Sequence, residues 1–496
     1  MTGYKVSDEW LDFSGTVGLE IRSPLFDTAS VPGTLSYPNT FADTPRNRRL
    51  LRFPATRSRQ AGPVPVVEAD YYIGGTLWRR GTLRYQEFDS KAREYVYQFE
   101  ADADALASRL DGATLPDVVS APEAVATAPE TDDYVLAPVR NNTFYGEKNP
   151  DWGRVVNYFA PGAPTASVNN AAGPHRYALA PMLKVVPLLR RALGQYGYEV
   201  RGSWLDDAEI QQLVLYSTRA LDSAAGPEPA VSFTLAEAAP NVRIADLLLA
   251  LQQLFCLGFV FNPVRRQVSI VALRDVATAP AATRRTAGAY FKDVANATDG
   301  FLLAFAPDGN DELLKAAPWP ELRIGGAKES IKPEADTLRM VREPDPLSPG
   351  RSWLVPAAGQ AGQSPRLDFE QVDNRLEHLR FLFYRGLQAD STGALYPLAS
   401  SGVVDYANLP VGRYALAWDG PAGLYQQWHK PWLDFRAAAR IEERDMPLSV
   451  ADFLSLDPTR KDLVQGLKFL WERISITAGG DGALSAATVT YHQIAS

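Results

Sequence analysis

The residues best suited to chemistry in this sequence are four histidines, three pairs of adjacent carboxylates and a short run of tryptophans. The histidines, His175, His378, His429 and His492, stand far apart and share no ligand spacing of the HExxH kind, so a zinc site would need separate segments to converge. The adjacent acids are Asp132-Asp133, Asp206-Asp207 and Glu442-Glu443. A glycosidase needs two carboxylates facing one cleft. Neighbours in sequence usually point apart, and charge at a loop or helix end accounts for these pairs without chemistry. The sequence has no GxSxG nucleophile elbow and no CxxC. Gly325-Gly326 and Gly479-Gly480 lack the Lys-Ser/Thr of a phosphate loop and read as turns. Trp418, Trp428 and Trp432 are the best candidates for a sugar-stacking platform, although aromatics in β-rich domains more often fill a core or a subunit interface. The single cysteine, Cys256, sits in the apolar run Leu254-Phe255-Cys256-Leu257 and reads as a small buried hydrophobe, so the chain folds in a reducing compartment or never needs oxidation. No catalytic, cofactor-binding or metal-binding residue is assigned on this basis, no cofactor is expected, and the chain is read as a non-enzyme.

Charge points the same way. The net charge of −8 comes from 50 basic and 58 acidic residues. General nucleic-acid binding needs clustered Lys and Arg. The basic runs, Arg46 to Arg52, Arg79-Arg80 and Arg284-Arg285, are short and read as solvated or inter-subunit faces. The N-terminal sequence lacks the apolar core of a signal peptide. No stretch approaches about 18 uninterrupted apolar residues, so no membrane span is expected.

The elements that would position these residues are mostly strands. Tyr71-Tyr72-Ile73 runs into Gly74-Gly75, a pair suited to a tight hairpin because glycine tolerates positive φ, and Thr76 to Glu87 follows as a long strand. Tyr95, Tyr97 and Phe99 alternate with Val96, Gln98 and Glu100, which places three aromatics on one strand face. A short helix is expected at 102–110, with linker or surface loop at 111–130 and 161–173. Residues 183–196 have helical spacing interrupted by Pro187 and stopped by Gly197. Residues 244–255 form the strongest helix signal, with Leu247, Leu248, Leu251, Leu254 and Phe255 on one face. A hairpin follows, Phe259 to Phe261 and Val268 to Val271. Near the C-terminus come a helix at 450–454 and strands at 467–477 and 486–494, with Gly479 to Gly482 turning between them. No repeat of 20–50 residues argues for a solenoid or propeller.

Several segments stand in a telling order: Leu19-Glu20-Ile21-Arg22-Ser23-Pro24-Leu25-Phe26-Asp27; Pro32-Gly33-Thr34-Leu35-Ser36-Tyr37-Pro38; Thr44-Pro45-Arg46-Asn47-Arg48-Arg49-Leu50; the strand pair around Gly75 and Gly81; Tyr196 to Asp207; Leu213 to Tyr216; the helix-hairpin unit from Val242 to Leu273; and Leu448 to Ile476. Together they resemble a family of tail-tip and baseplate hub proteins of phages and phage-like injection particles. Residues 287–420 show little that matches. The resemblance implies an α+β, β-rich multidomain fold with two tail-tube-like β-barrel domains and helix-containing connecting domains. The expected division is 1–110 as the first tube-like barrel, 111–182 as linker and extended loops, 183–280 as an α/β helix-hairpin domain, and 281–496 as the second tube-like barrel and C-terminal domain. It further implies a homotrimeric hub at the distal end of a tail, assembled in the host cytoplasm, joining a sixfold tail tube or distal tail protein to a spike or tip protein. A tape-measure protein is a further contact, and DNA passes only as transiting cargo. Spike and peptidase roles would fall to other chains. Three copies would carry three times the formal charge of −8, and an acidic bore would repel transiting phosphate. The competing readings are a carbohydrate-binding receptor protein built on Trp418, Trp428 and Trp432, and a glycan-cleaving enzyme.

Overall fold

The structure, a computed structural model, describes residues 2–13, 15–27, 37–54, 66–101, 106, 109–119, 122–145, 152–168, 177–223, 226–229, 232–280, 282–288, 290–362, 377–479 and 483–494. His175, the 32–36 part of the proline-glycine motif, most of the 102–110 helix and the 480–482 part of the C-terminal turn lie outside these residues. The chain forms two compact units. The first joins Met1–Arg109, Gly258–Thr298 and Pro431–Ser496, and the second joins Leu110–Leu257 and Asp299–Lys430.

The first unit is built on two half-barrel sheets. One is antiparallel throughout, in the order Glu9–Trp10, Gly3–Val6, Val67–Ile73, Thr76–Asp89, Glu94–Ala101, Tyr37–Ala42. Its central hairpin turns at Gly74 and Gly75, whose φ of +59° and +83° suit glycine. Tyr95, Tyr97 and Phe99 all point inward, as the alternation predicts. The other sheet runs Ala282–Arg285, Lys461–Val464, Leu467–Gly479, Ala487–Gln493, Arg440–Met446, Phe291–Val294. Thr16–Arg22 leaves the N-terminal segment to join it, pairing antiparallel with Leu467–Gly479 from Thr16↔Gly479 to Arg22↔Arg473.

Both sheets bury their apolar faces in one core. Tyr4, Phe41, Tyr71, Tyr97 and Phe99 come from the first, and Trp471, Ile474, Ile476, Val489 and Tyr491 from the second. Each such side chain contributes roughly 1.5–3 kcal/mol by leaving water, so neither sheet can shed its partner cheaply. Val450–Leu454 closes part of this core. Ser449 and Asp452 form a capping box at its start, and Phe453 lies 5.4 Å, ring to ring, from Trp78. The hairpin Leu257–Asn262 and Gln267–Ala272 lies where expected, and almost all of it belongs to this unit.

In the second unit the largest sheet is ordered Ala335–Thr337, Leu379–Ala389, Leu213–Leu215, Met182–Lys184, Tyr134–Val135, with Leu395–Ser400 also paired to Leu379–Ala389. A four-stranded sheet runs Val155–Val156, Val139–Asn141, Ser352–Ala358, Arg339–Pro344, and a three-stranded one runs Leu322–Gly325, Gly300–Leu303, Glu329–Ile331. The stretch 111–182, read as linker and loops, contributes strands to two of these sheets and the helix Leu115–Val118. Helix Val185–Gly194 carries Pro187 in its first turn, where no intrahelical N–H is required. Helix Ile244–Phe255 has the predicted bounds, and its five apolar positions are buried. Among the described residues, no helix is long and apolar enough to cross a membrane.

Candidate functional site

The polar chemistry of the second unit centres on three arginines buried within or beside its strands. Arg351, just before Ser352–Ala358, is 1% exposed. Its Nε donates to Asp390 at 2.5 Å, and its Nη1 donates to Asp345 at 2.9 Å and to the Phe159 carbonyl at 2.7 Å. The guanidinium also lies 4.3 Å from the Trp353 ring centre. Tyr158 Oη completes this network by donating to Asp345. Two acids against one arginine, all desolvated, is an arrangement that fixes packing.

Arg380 and Arg385 interrupt the mostly apolar strand Leu379–Ala389. Arg380 reaches Asp311 at 2.9 Å and Asp308 at 2.7 Å, with Asp336 at 3.5 Å. Asp311 also accepts from the amides of Leu313, Leu314 and Gly359, capping helix Glu312–Ala316 and tying it to the end of Ser352–Ala358. His378 Nε2 lies 3.5 Å from Asp336 Oδ2. Burial pushes Asp336 up to about 7, although Arg380 pulls the other way, and burial pushes His378 down to about 4.

Arg385 lies at the wall of an open cleft of about 460 Å³ lined by Glu130, Glu209, Gln212, Tyr384 and Arg413 among others. Glu209 accepts from Arg385 Nη1 and from the backbone amides of Arg413 and Tyr414. Asp207 accepts from Arg413 Nη2 and Tyr414 Oη. Burial pushes both carboxyls up, but these donors outweigh it and hold both below the usual carboxylate range. A carboxyl so held is anionic near neutrality and has no proton to give, so this pair lacks the raised acid of a glycosidase.

Among the described residues, the histidines and adjacent acids singled out in the sequence do not converge on one site. Asp133 pairs with Arg191, Asp207 with Arg413, Glu442 with Arg444, and Glu443 with Lys292 and Arg473. His429 is buried with Nε2 on the Leu254 carbonyl, and His492 meets Glu472 at 2.8 Å. Among the described residues, no group of three His, Cys, Asp or Glu could hold a metal ion.

The tryptophan platform is corrected. Trp418, Trp428 and Trp432 are 2%, 1% and 1% exposed. Trp418 packs on Phe305 and His429, Trp428 on Phe255 and Tyr414, and Trp432 on Phe26 and Phe435. None offers a face to a sugar. Of the basic runs, Arg46, Arg48 and Arg49 are solvated as expected and pair with Asp12, Asp43 and Glu9, whereas Arg285 is corrected: it is nearly buried and pairs with Asp452 and Asp462. Sequence reasoning did not single out Arg351, Arg380, Arg385 or their acids. The available signal was an arginine at each end of the apolar run Phe381-Leu382-Phe383-Tyr384.

No protein-family model matches the chain, and no curated protein does. Solved structures overlap it loosely. A 43 kDa tail protein of prophage MuSo2 from Shewanella oneidensis does so at a TM-score of 0.38 and 9% identity, covering 99% of this chain and 95% of that one. A tail protein from Neisseria meningitidis MC58 gives a TM-score of 0.37 at 9% identity, with the same coverage. A Francisella PdpA-VgrG complex gives 0.28 at 7% identity, covering 97% of this chain and 54% of that one. Overlaps this loose do not establish a shared fold.

Proposed function

We propose that this chain is a non-enzymatic structural subunit of a phage or phage-like tail, assembled in the host cytoplasm. In this reading it is a hub that forms a trimeric ring at the distal end and lines the delivery channel. The ring joins a sixfold tail tube or distal tail protein to a spike or tip protein, with tape-measure protein as a further contact and DNA only in transit. The ordered motif resemblance motivates the reading. The observation that carries it is the construction of the first unit: two half-barrel sheets from opposite ends of the chain close on one core. Two tube-like sheets per subunit would let three subunits present six to a tube. The engaged carboxylates of the cleft favour a structural role over a hydrolytic one.

Native mass measurement of the purified chain, alone and with tube protein, tests the reading. A trimer, or a trimer formed on the tube protein, is expected, with interfaces above about 1,000 Å². A chain that stays monomeric in both conditions overturns it.

A further inference from the structure

The Asp336–His378 contact poses a problem of protons. His378 makes a hydrogen bond to the Ala306 backbone, whose own N–H is already committed to the Pro333 carbonyl, so the imidazole is the donor there. The ring's other nitrogen, Nε2, faces Asp336 Oδ2 across 3.5 Å and has no other partner. A neutral imidazole has a lone pair at that position, and an ionised carboxylate has lone pairs facing it. Two desolvated acceptors pointed at each other are costly. The charge count adds to the difficulty. Arg380 is the cation of the cluster, and Asp308 and Asp311 already share it at hydrogen-bond distance. A third buried anion has no cation of its own: it would have to share Arg380, whose Nε lies 3.5 Å from Asp336 Oδ1.

We propose that one proton is retained between Asp336 and His378 and resides on the carboxyl, so that this cluster, which packs on the 304–311 loop, keeps a neutral acid beside two ionised ones. The protonated Asp336 donates from Oδ2 to His378 Nε2, and the same oxygen still accepts from the Asp308 amide at 3.2 Å. The charged groups facing it are Arg380 and His378 from the 378–389 segment and Asp308 and Asp311 from the loop. Burial disfavours a cation at His378, with Arg380 adding to it, and outweighs the pull of Asp308, which places the proton on oxygen. The directions of the two shifts agree: Asp336 raised to about 7, His378 lowered to about 4.

In an unfolded chain, with values of 3.8 and 6.5, the pair's single proton sits on imidazole between those limits. In the folded protein it sits on the carboxyl between about 4 and about 7. Both states therefore hold one proton over most of this window, so folding moves the proton with little dependence of stability on pH. Above about 7 the folded pair loses it, and the third carboxylate charge appears beside Asp308 and Asp311.

Infrared spectroscopy of the full chain in D₂O tests the proposal. At pH 6 the difference between wild type and Asp336→Asn is expected to show a protonated carboxyl band that disappears on raising the pH through about 7; burial also raises Glu343 and Asp462, and their contribution cancels in the difference. The carboxamide can donate to His378 in the same place, so the variant is expected to keep its circular dichroism. No such band in the difference spectrum at pH 6 overturns the proposal. ¹⁵N spectra of labelled histidine in the wild type, with the signal assigned by its loss in His378→Gln, give a readout that does not depend on Asp336→Asn folding. A neutral His378 ring at pH 5.5 is expected, and an imidazolium there overturns the proposal.

Discussion

An arginine with 1% exposure cannot stand alone, and Arg351 does not: Asp345, Asp390, a carbonyl and an aromatic face meet it. Removing one member of such a set leaves the others charged and dry, which costs about 3–5 kcal/mol. Arg351→Met is therefore expected to lower the stability of the second unit by about that much, read as a shift in its urea transition. Adding Asp345→Asn and Asp390→Asn is expected to recover part of the loss, because the uncompensated charges then vanish. A second prediction concerns acid. Asp207 and Glu209 are held below the ordinary carboxylate range. Their contribution is present in full above the unfolded values and is lost as pH falls through the lower folded ones. Thermal midpoints are expected to fall between pH 5 and pH 3, and Glu209→Gln should flatten that fall. An unchanged slope would mean that Glu209 is not held as its three donors imply.

The hairpin of Val67–Ile73 and Thr76–Asp89 shows which element features are set locally. Gly75 has φ +83° with open space around its Cα, so Gly75→Ala adds strain without a clash and is expected to cost about 1 kcal/mol. Gly81 differs. A Cβ there would sit 2.1 Å from the Glu100 carbonyl oxygen of the next strand, so backbone would have to move. Gly81→Ala is expected to cost more than Gly75→Ala, about 1–3 kcal/mol, in the same denaturation assay. Local signals of this kind made much of the fold legible. The Gly74-Gly75 turn, the aromatic alternation of Glu94–Ala101, the apolar face of Ile244–Phe255 and the start of Val450–Leu454 each follow from a few neighbouring residues. The site was not legible in that way. Burial of Arg380 depends on Asp308 and Asp311, about seventy residues earlier, and spacing carries no information about that contact. The three tryptophans misled for the same reason: closeness in sequence says nothing about which of them meets water.

At the scale of the whole molecule, the pairing of Thr16–Arg22 with Leu467–Gly479 changes what counts as an independent part. The N-terminal segment reads in sequence as a barrel of its own. In the folded chain its six-stranded sheet rests on Trp471, Ile474, Ile476, Val489 and Tyr491, all from the last thirty residues. Residues 1–110 expressed alone would expose Tyr4, Phe41, Tyr71 and Phe99 to water and leave Thr16–Arg22 as an unpaired strand, a combination that favours aggregation. That fragment is expected to be insoluble or to lack dispersed amide resonances. Residues 110–257 joined to 299–430 by a short flexible linker keep every strand of the second unit's three main sheets and the arginine networks. That fragment is expected to fold and to show the Arg351→Met destabilisation undiminished. A folded, monomeric 1–110 fragment would mean that the first sheet needs no partner from the C-terminal strands. The shared core would then be a docking of two finished parts, and a tube-like pair of sheets would not need both ends of one chain.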